Sequence, residues 1–166
     1  CAQCHSEVSP AHERPCDTVV SKVDCGVCHA EQKNQYASSI HGKLSATGDT
    51  DAPVCLDCHS AHATRGKQDP TSPTFARNVP KLCASCHRAG EKAAVRIESD
   101  IPDIVAGYAD SIHGKGLTES GLVVTATCVN CHTSHGELPP ADPKSSVHRS
   151  NLAATCGTCH HGVEEE

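Results

Sequence analysis

Apolar residues are thinly spread along this chain and rarely fall into a helical or a strand rhythm. The clearest helical spacing is Ile101, Ile104, Val105, Tyr108 and Ile112, which predicts a helix leading into His113 with Asp100 as its N-cap and Pro102 in its first turn. A shorter helix is expected from about Glu31 into His41. Uninterrupted apolar stretches are only a few residues long, as around Leu122, Val123 and Val124, far short of the ~18 that a membrane span needs. Glycine follows His41, His113, His135 and His161, where it can close a helix in a left-handed C-cap or let a bulky group approach the backbone. The expected architecture is mainly loop with a few short α-helices and little or no sheet.

Composition sharpens the problem. The 166 residues include 13 Cys and 13 His but no Trp, no Met, one Phe (Phe75) and two Tyr (Tyr36 and Tyr108), so the aromatic mass of an ordinary core is missing. A soluble domain of this length normally buries roughly two thirds of its unfolded surface. Something other than side chains must fill the interior.

The cysteines indicate what. They occur as Cys1-Ala-Gln-Cys4-His5, Cys25-Gly-Val-Cys28-His29, Cys55-Leu-Asp-Cys58-His59, Cys83-Ala-Ser-Cys86-His87, Cys128-Val-Asn-Cys131-His132 and Cys156-Gly-Thr-Cys159-His160, six pairs each followed at once by His. Two thiols so spaced reach the two vinyl groups of one haem while the next imidazole meets the iron. Zinc ribbons would use paired CxxC motifs 15 to 20 residues apart without requiring the His, and four of the five gaps here are longer. Disulfides across two residues would be strained and would leave the His pattern unexplained. Six covalent haem c groups are expected, with proximal ligands His5, His29, His59, His87, His132 and His160.

Methionine cannot supply the sixth ligands because there is none. Seven histidines remain, namely His12, His41, His62, His113, His135, His148 and His161, a pool that nearly matches six bis-histidine irons. An internal repeat sorts them. Tyr36-Ala-Ser-Ser-Ile-His41-Gly-Lys43 recurs as Tyr108-Ala-Asp-Ser-Ile-His113-Gly-Lys115, and each copy runs on to a CxxCHxxH motif ending at His62 or His135, an Asn (Asn78 or Asn151) and another CxxCH. The chain divides accordingly within one domain, 1–166: a partial two-haem unit at 1–35, a two-haem repeat at 36–87, a connecting helical segment at 88–107, a second repeat at 108–160 and an acidic tail at 161–166. His41, His62, His113 and His135 are the expected distal ligands, followed by His12. For the sixth, His148 in its Pro- and Ser-rich loop is preferred over His161, which is expected to be a surface residue. His59 and His62 lie three apart, as do His132 and His135, and on one helical turn both rings would project to the same side. His62 and His135 are therefore expected to serve neighbouring haems.

The SIHG segments, the CxxCHxxH motifs and the haem density resemble the small multihaem electron-transfer cytochromes of metal- and sulfur-metabolising bacteria and some archaea, over nearly the whole chain. That resemblance implies electron transfer rather than catalysis, either as an extracellular filament-forming cytochrome or as a soluble periplasmic carrier. In the filament-forming members a distal His can be donated across the subunit boundary, a role open here to His12, His148 or His161. A multihaem reductase with one open iron is the alternative, and the sufficient ligand pool argues against it.

The remaining expectations concern surroundings. Haem attachment in such systems is extracytoplasmic, so the protein is expected to be exported, its leader removed ahead of Cys1; a lipidated Cys1 would exclude that thiol from haem. Formal charge is −6, and twelve propionates with six ferric cores bring it to about −12, which excludes nucleic acid as a partner. Redox proteins or further copies of the chain are the expected partners, with an extracellular electron acceptor conceivable for a polymer. Cys16 alone lies outside the motifs and is expected to be a free thiol or to form a bond between chains, and Glu164-Glu165-Glu166 a solvated end.

Overall fold

The computed structural model describes residue 5, residues 23–97, residue 101 and residues 103–162. The expectations for Cys1, Cys4, His12, Cys16, Asp100, Pro102 and the Glu164–Glu166 tail lie outside the described residues. Among the described residues there are short helices and loops and no strand, the architecture expected from the sequence. After a 3-10 turn at Cys25–Val27 come α1 (Ala30–Ser38), α2 (Ile40–Ala46), α3 (Cys55–His59), α4 (Val79–His87), α5 (Ile104–Asp110), α6 (Ile112–Thr118), α7 (Cys128–His132) and α8 (Leu152–Gly157).

Helices α1 and α2 form a bent pair, as do α5 and α6. The bend is made by one residue each time, Ser39 or Ser111, held extended at φ −71°, ψ 166° and φ −69°, ψ 163°. Each hydroxyl donates to a carbonyl of the helix behind it (Tyr36 O at 2.7 Å, Tyr108 O at 2.6 Å) and accepts from the glycine N–H ahead (Gly42 at 3.0 Å, Gly114 at 3.1 Å). The serine is thus the N-cap of the second helix. The single helix expected into His113 is broken at Ser111, and its cap is Asp103, whose carboxylate accepts from Ala106 N at 2.9 Å, rather than Asp100. Its apolar stripe is not packed inward either, since Ile112 is 80% exposed. Ahead of it, residues 88–97 are turns rather than helix, with Ala93 N bonded to Cys86 O and Arg96 clasped to Asp49.

Gly42 and Gly114 are not C-caps. Both are buried in the first turn of a helix, and a Cβ on either would overlap the Tyr36 or Tyr108 carbonyl oxygen and stand 2.9 Å from Ala37 Cα or 2.8 Å from Ala109 Cα. Close helix-to-helix approach, not a left-handed backbone, requires glycine there. Of the four glycines that follow a histidine only Gly162 has positive φ, and it ends no helix.

The same bonds recur in 36–87 and 108–160. Tyr36 and Tyr108 hydroxyls donate to Pro53 O and Ala126 O at 2.9 and 3.0 Å. Ser72 and Ser145 hydroxyls donate to Arg65 O and Leu138 O, and Asn78 and Asn151 amides each bridge two loop carbonyls. These struts stand in for a core. Among the described residues the only buried hydrophobics are Val79 and Leu117, beside the buried polar residues Ser39, Ser72, Thr127 and Ser145, each held by hydrogen bonds as burial of a polar group demands. The chain exposes 11800 Å², whereas a compact monomer of this mass exposes about 7,800 Å².

Candidate haem-binding sites

Two of the CxxCH motifs are themselves one-turn helices, α3 and α7. Their starts are fixed alike, Val54 N donating to the Asp57 carboxylate at 2.6 Å and Thr127 N to Asn130 Oδ1 at 2.9 Å. Their ends are fixed alike as well. Ser60 and Thr133, directly after the motif histidine, sit at φ 61°, ψ 166° and φ 68°, ψ 174°, a region essentially reserved for glycine. This turn throws the chain off the helix, so His62 and His135 do not share a helical face with His59 and His132. The i, i+3 geometry expected from the sequence does not apply, because the helix stops at the first histidine.

The rings of His62 and His135 lie elsewhere. His5 and His62 ring centroids are 6.1 Å apart, His41 and His87 6.1 Å, His59 and His135 6.1 Å, and His113 and His160 6.0 Å. Each pair joins a motif histidine to one outside the motifs. Two imidazole nitrogens each about 2 Å from a shared metal ion place ring centres roughly 6 Å apart. His41 and His113 are presented as the second residue of α2 and α6, directly after the serine bend; His87 ends α4, and His160 lies just past α8.

Electrostatics favour neutral imidazoles. Burial, then the neighbouring His87, lowers the pKa of His41, and burial lowers that of His87 itself. His132 is lowered by burial and by His87, and His135 by burial and then by His59 and His29. A ligand histidine must be neutral to donate its lone pair.

The ten described cysteines are all free of disulfides. Cys83 and Cys128, the first thiols of two successive motifs, hydrogen-bond to one another, which holds the proton on Cys83 and pulls the Cys128 thiol down. Cys25 and Cys55 meet in the same way, with burial the larger influence raising Cys55. Successive motifs therefore adjoin. Among the described residues no three or more His, Cys, Asp or Glu gather as a metal site, so these thiols are not arranged for zinc.

The residues fit haem. The donors come as opposed imidazole pairs with free thiols alongside, the His5 Nδ1 atom is buried without a hydrogen-bond partner, and large apolar side chains such as Val27, Val95, Ile112 and Val124 stand exposed, awaiting cover.

Four histidines have no ring partner among the described residues: His29, His132, His148 and His161. His148 Nδ1 is engaged by Ser150 Oγ at 2.7 Å, and the ring lines an open cavity of about 470 Å³ with Pro140, Val147 and Leu152. His161 is exposed. One residue with no sequence signal joins the site. Glu137, two residues past His135, brings its carboxylate 3.8 Å from His41 Nδ1.

Paired motifs of this kind support a multihaem c-type cytochrome-like protein. Residues 41–92, which hold the motifs ending at His59 and His87, match the family model for the doubled CXXCH motif. Neither a curated protein nor a solved structure matches the chain. Among the described residues no helix is long and apolar enough to cross a membrane.

Proposed function

We propose that the protein is an exported hexahaem cytochrome that passes electrons along a row of bis-histidine haems. The observation that carries this reading is the set of four imidazole pairs at 6.0–6.1 Å, each made of one motif and one non-motif histidine. Haem supplies the one-electron couple; the chain supplies thiols that anchor it, imidazole pairs that close four irons to substrate, and motifs close enough to keep neighbouring groups adjacent. With 166 residues for six haems, fewer than 28 remain per porphyrin, too few to wrap each one separately. The test is the intact mass together with paramagnetic resonance of the native protein. Six added haems and only low-spin ferric signals are expected. A high-spin signal would favour the reductase reading, with the iron of His29 or His132 open to substrate.

A polymer is favoured by the direction of the ligand exchange. His5 of the first unit is paired with His62 of the second, and His59 of the second with His135 of the third. Continuing that rule, His132 takes its partner from a unit beyond residue 160. The second unit meets the third through Ile40 N donating to Glu137 O at 2.8 Å, whereas the corresponding residue of the third unit, Ile112, is exposed, as are Leu122, Val123 and Val124. A second copy continues the row in this reading, with its His12 as the donor to His132, making an open-ended heterologous assembly that hands electrons to an extracellular acceptor. Native protein that sediments as a monomer at every concentration would leave the periplasmic carrier.

A further inference from the structure

Glu137 is a carboxylate in an unusual place. Its backbone is pinned to the start of α2 by the Ile40 N–H at 2.8 Å. Its side chain, 22% exposed, faces the ring of His41, 26% exposed, with Oε2 3.8 Å from Nδ1. Among the described residues no lysine or arginine forms a salt bridge with it. Burial raises its carboxyl pKa. It stands two residues past His135 and beside His41, and so lies next to a member of each of two ring pairs, His41 with His87 and His59 with His135. The internal repeat offers a comparison. The residue matching Glu137 in the second unit is Thr64, whose hydroxyl turns back on the carbonyls of Ser60 and Ala61 at 3.1 and 3.0 Å.

We propose that Glu137 is a potential-setting residue, whose fixed negative charge makes the haem held between His41 and His87, and its neighbour held between His59 and His135, harder to reduce than their repeat-related counterparts. This rests on the six-haem reading. An added electron is repelled by a nearby fixed anion, and a unit charge roughly 10 Å away at an effective dielectric near 20 changes a reduction equilibrium by about tenfold. The two repeats share their Tyr, Ser, His and CxxCH positions but differ at this one, Glu137 standing where the other has Thr64. One carboxylate on the seam between units makes the row uneven and gives electrons a place they leave readily.

The test is a spectroelectrochemical titration at pH 8 of haem-loaded wild type, Glu137→Gln and Glu137→Asp. In E137Q two of the reductive steps are expected to move to higher potential by about tenfold in their equilibrium, ~59 mV for a one-electron couple, while the others stay in place and E137D stays near wild type. Thr64→Glu, which puts a carboxylate at the repeat-related position past His62, is expected to lower a step that E137Q leaves alone. No movement in E137Q, an equal movement of every step, loss of haem from E137Q, or a shift in E137D as large as in E137Q would overturn the proposal. A wild-type protein that carries fewer than six haems would instead overturn the reading on which it rests, and the haem count reports that separately.

Discussion

Replacing Gly114 by Ala should destabilise the protein, while the same change two residues on, at Gly116, should stabilise it. Both lie in α6 with ordinary helical φ, and in an unhindered helix Ala is favoured over Gly by about 1 kcal/mol. At Gly116 the new methyl meets only Thr125, with Oγ1 at 3.5 Å and Cβ at 3.7 Å, ordinary contact distances, so most of that gain should be realised. At Gly114 it overlaps the Tyr108 carbonyl oxygen and comes within 2.8 Å of Ala109 Cα, atoms of backbone that cannot turn aside. Relief requires α5 and α6 to move apart at Ser111, costing roughly 1–3 kcal/mol as overpacking does elsewhere, and carrying His113 away from His160. For a chain of this length each kcal/mol is about 2–4 °C in Tm, so the two variants should melt several degrees apart in opposite directions from wild type. Thermal unfolding of the haem-loaded proteins, followed in the Soret band, measures the difference. G114A melting at or above G116A would refute the close approach as the reason for the glycine.

Two further outcomes follow from the same geometry. Ser60→Gly removes the penalty of a non-glycine residue at φ 61°, ψ 166°, about 1–3 kcal/mol, against a loss of up to ~1 kcal/mol from the greater freedom of glycine in the unfolded chain; a net gain in melting temperature is expected, and a lower one would show that the hydroxyl matters more than the backbone. Acidification should weaken the fold through His41, His87, His132 and His135, whose pKa values are lowered mainly by burial: their contribution is complete above the unfolded value of about 6.5 and is lost as pH falls toward their folded values, with the raised carboxyl of Glu137 the smaller opposing influence. Melting temperatures measured from pH 8 to pH 5 should decline below about 6.5, and a flat profile would contradict the assignment of these rings as buried neutral bases.

Much of this molecule could be read from the order of its residues, because thiol and imidazole spacing is local chemistry that the chain cannot disguise. Among the described residues, the absence of sheet, the thin core and the duplicated Tyr, Ser and Asn were all visible in that way. The bend at Ser111 was not, since the apolar spacing from Ile101 to Ile112 runs straight through it and a single extended residue leaves the periodicity nearly intact. Nor was the backbone at Ser60 and Thr133, for neither residue type advertises positive φ. Glu137 was hidden for a different reason. It lies beside a histidine of the other repeat, and the bond from Ile40 N to its carbonyl holds the two together.

The near-absence of a side-chain core ties the protein's fate in the cell to nutrition. With Val79 and Leu117 the only buried hydrophobics among the described residues, a newly made polypeptide that receives none of the haem proposed for it is expected to be a degradation substrate rather than a reserve of apoprotein. Its abundance should then follow the supply of iron and porphyrin even at constant transcription. On the proposed reading, the cell would stop carrying the protein when it could not furnish its haem, with no dedicated regulator required.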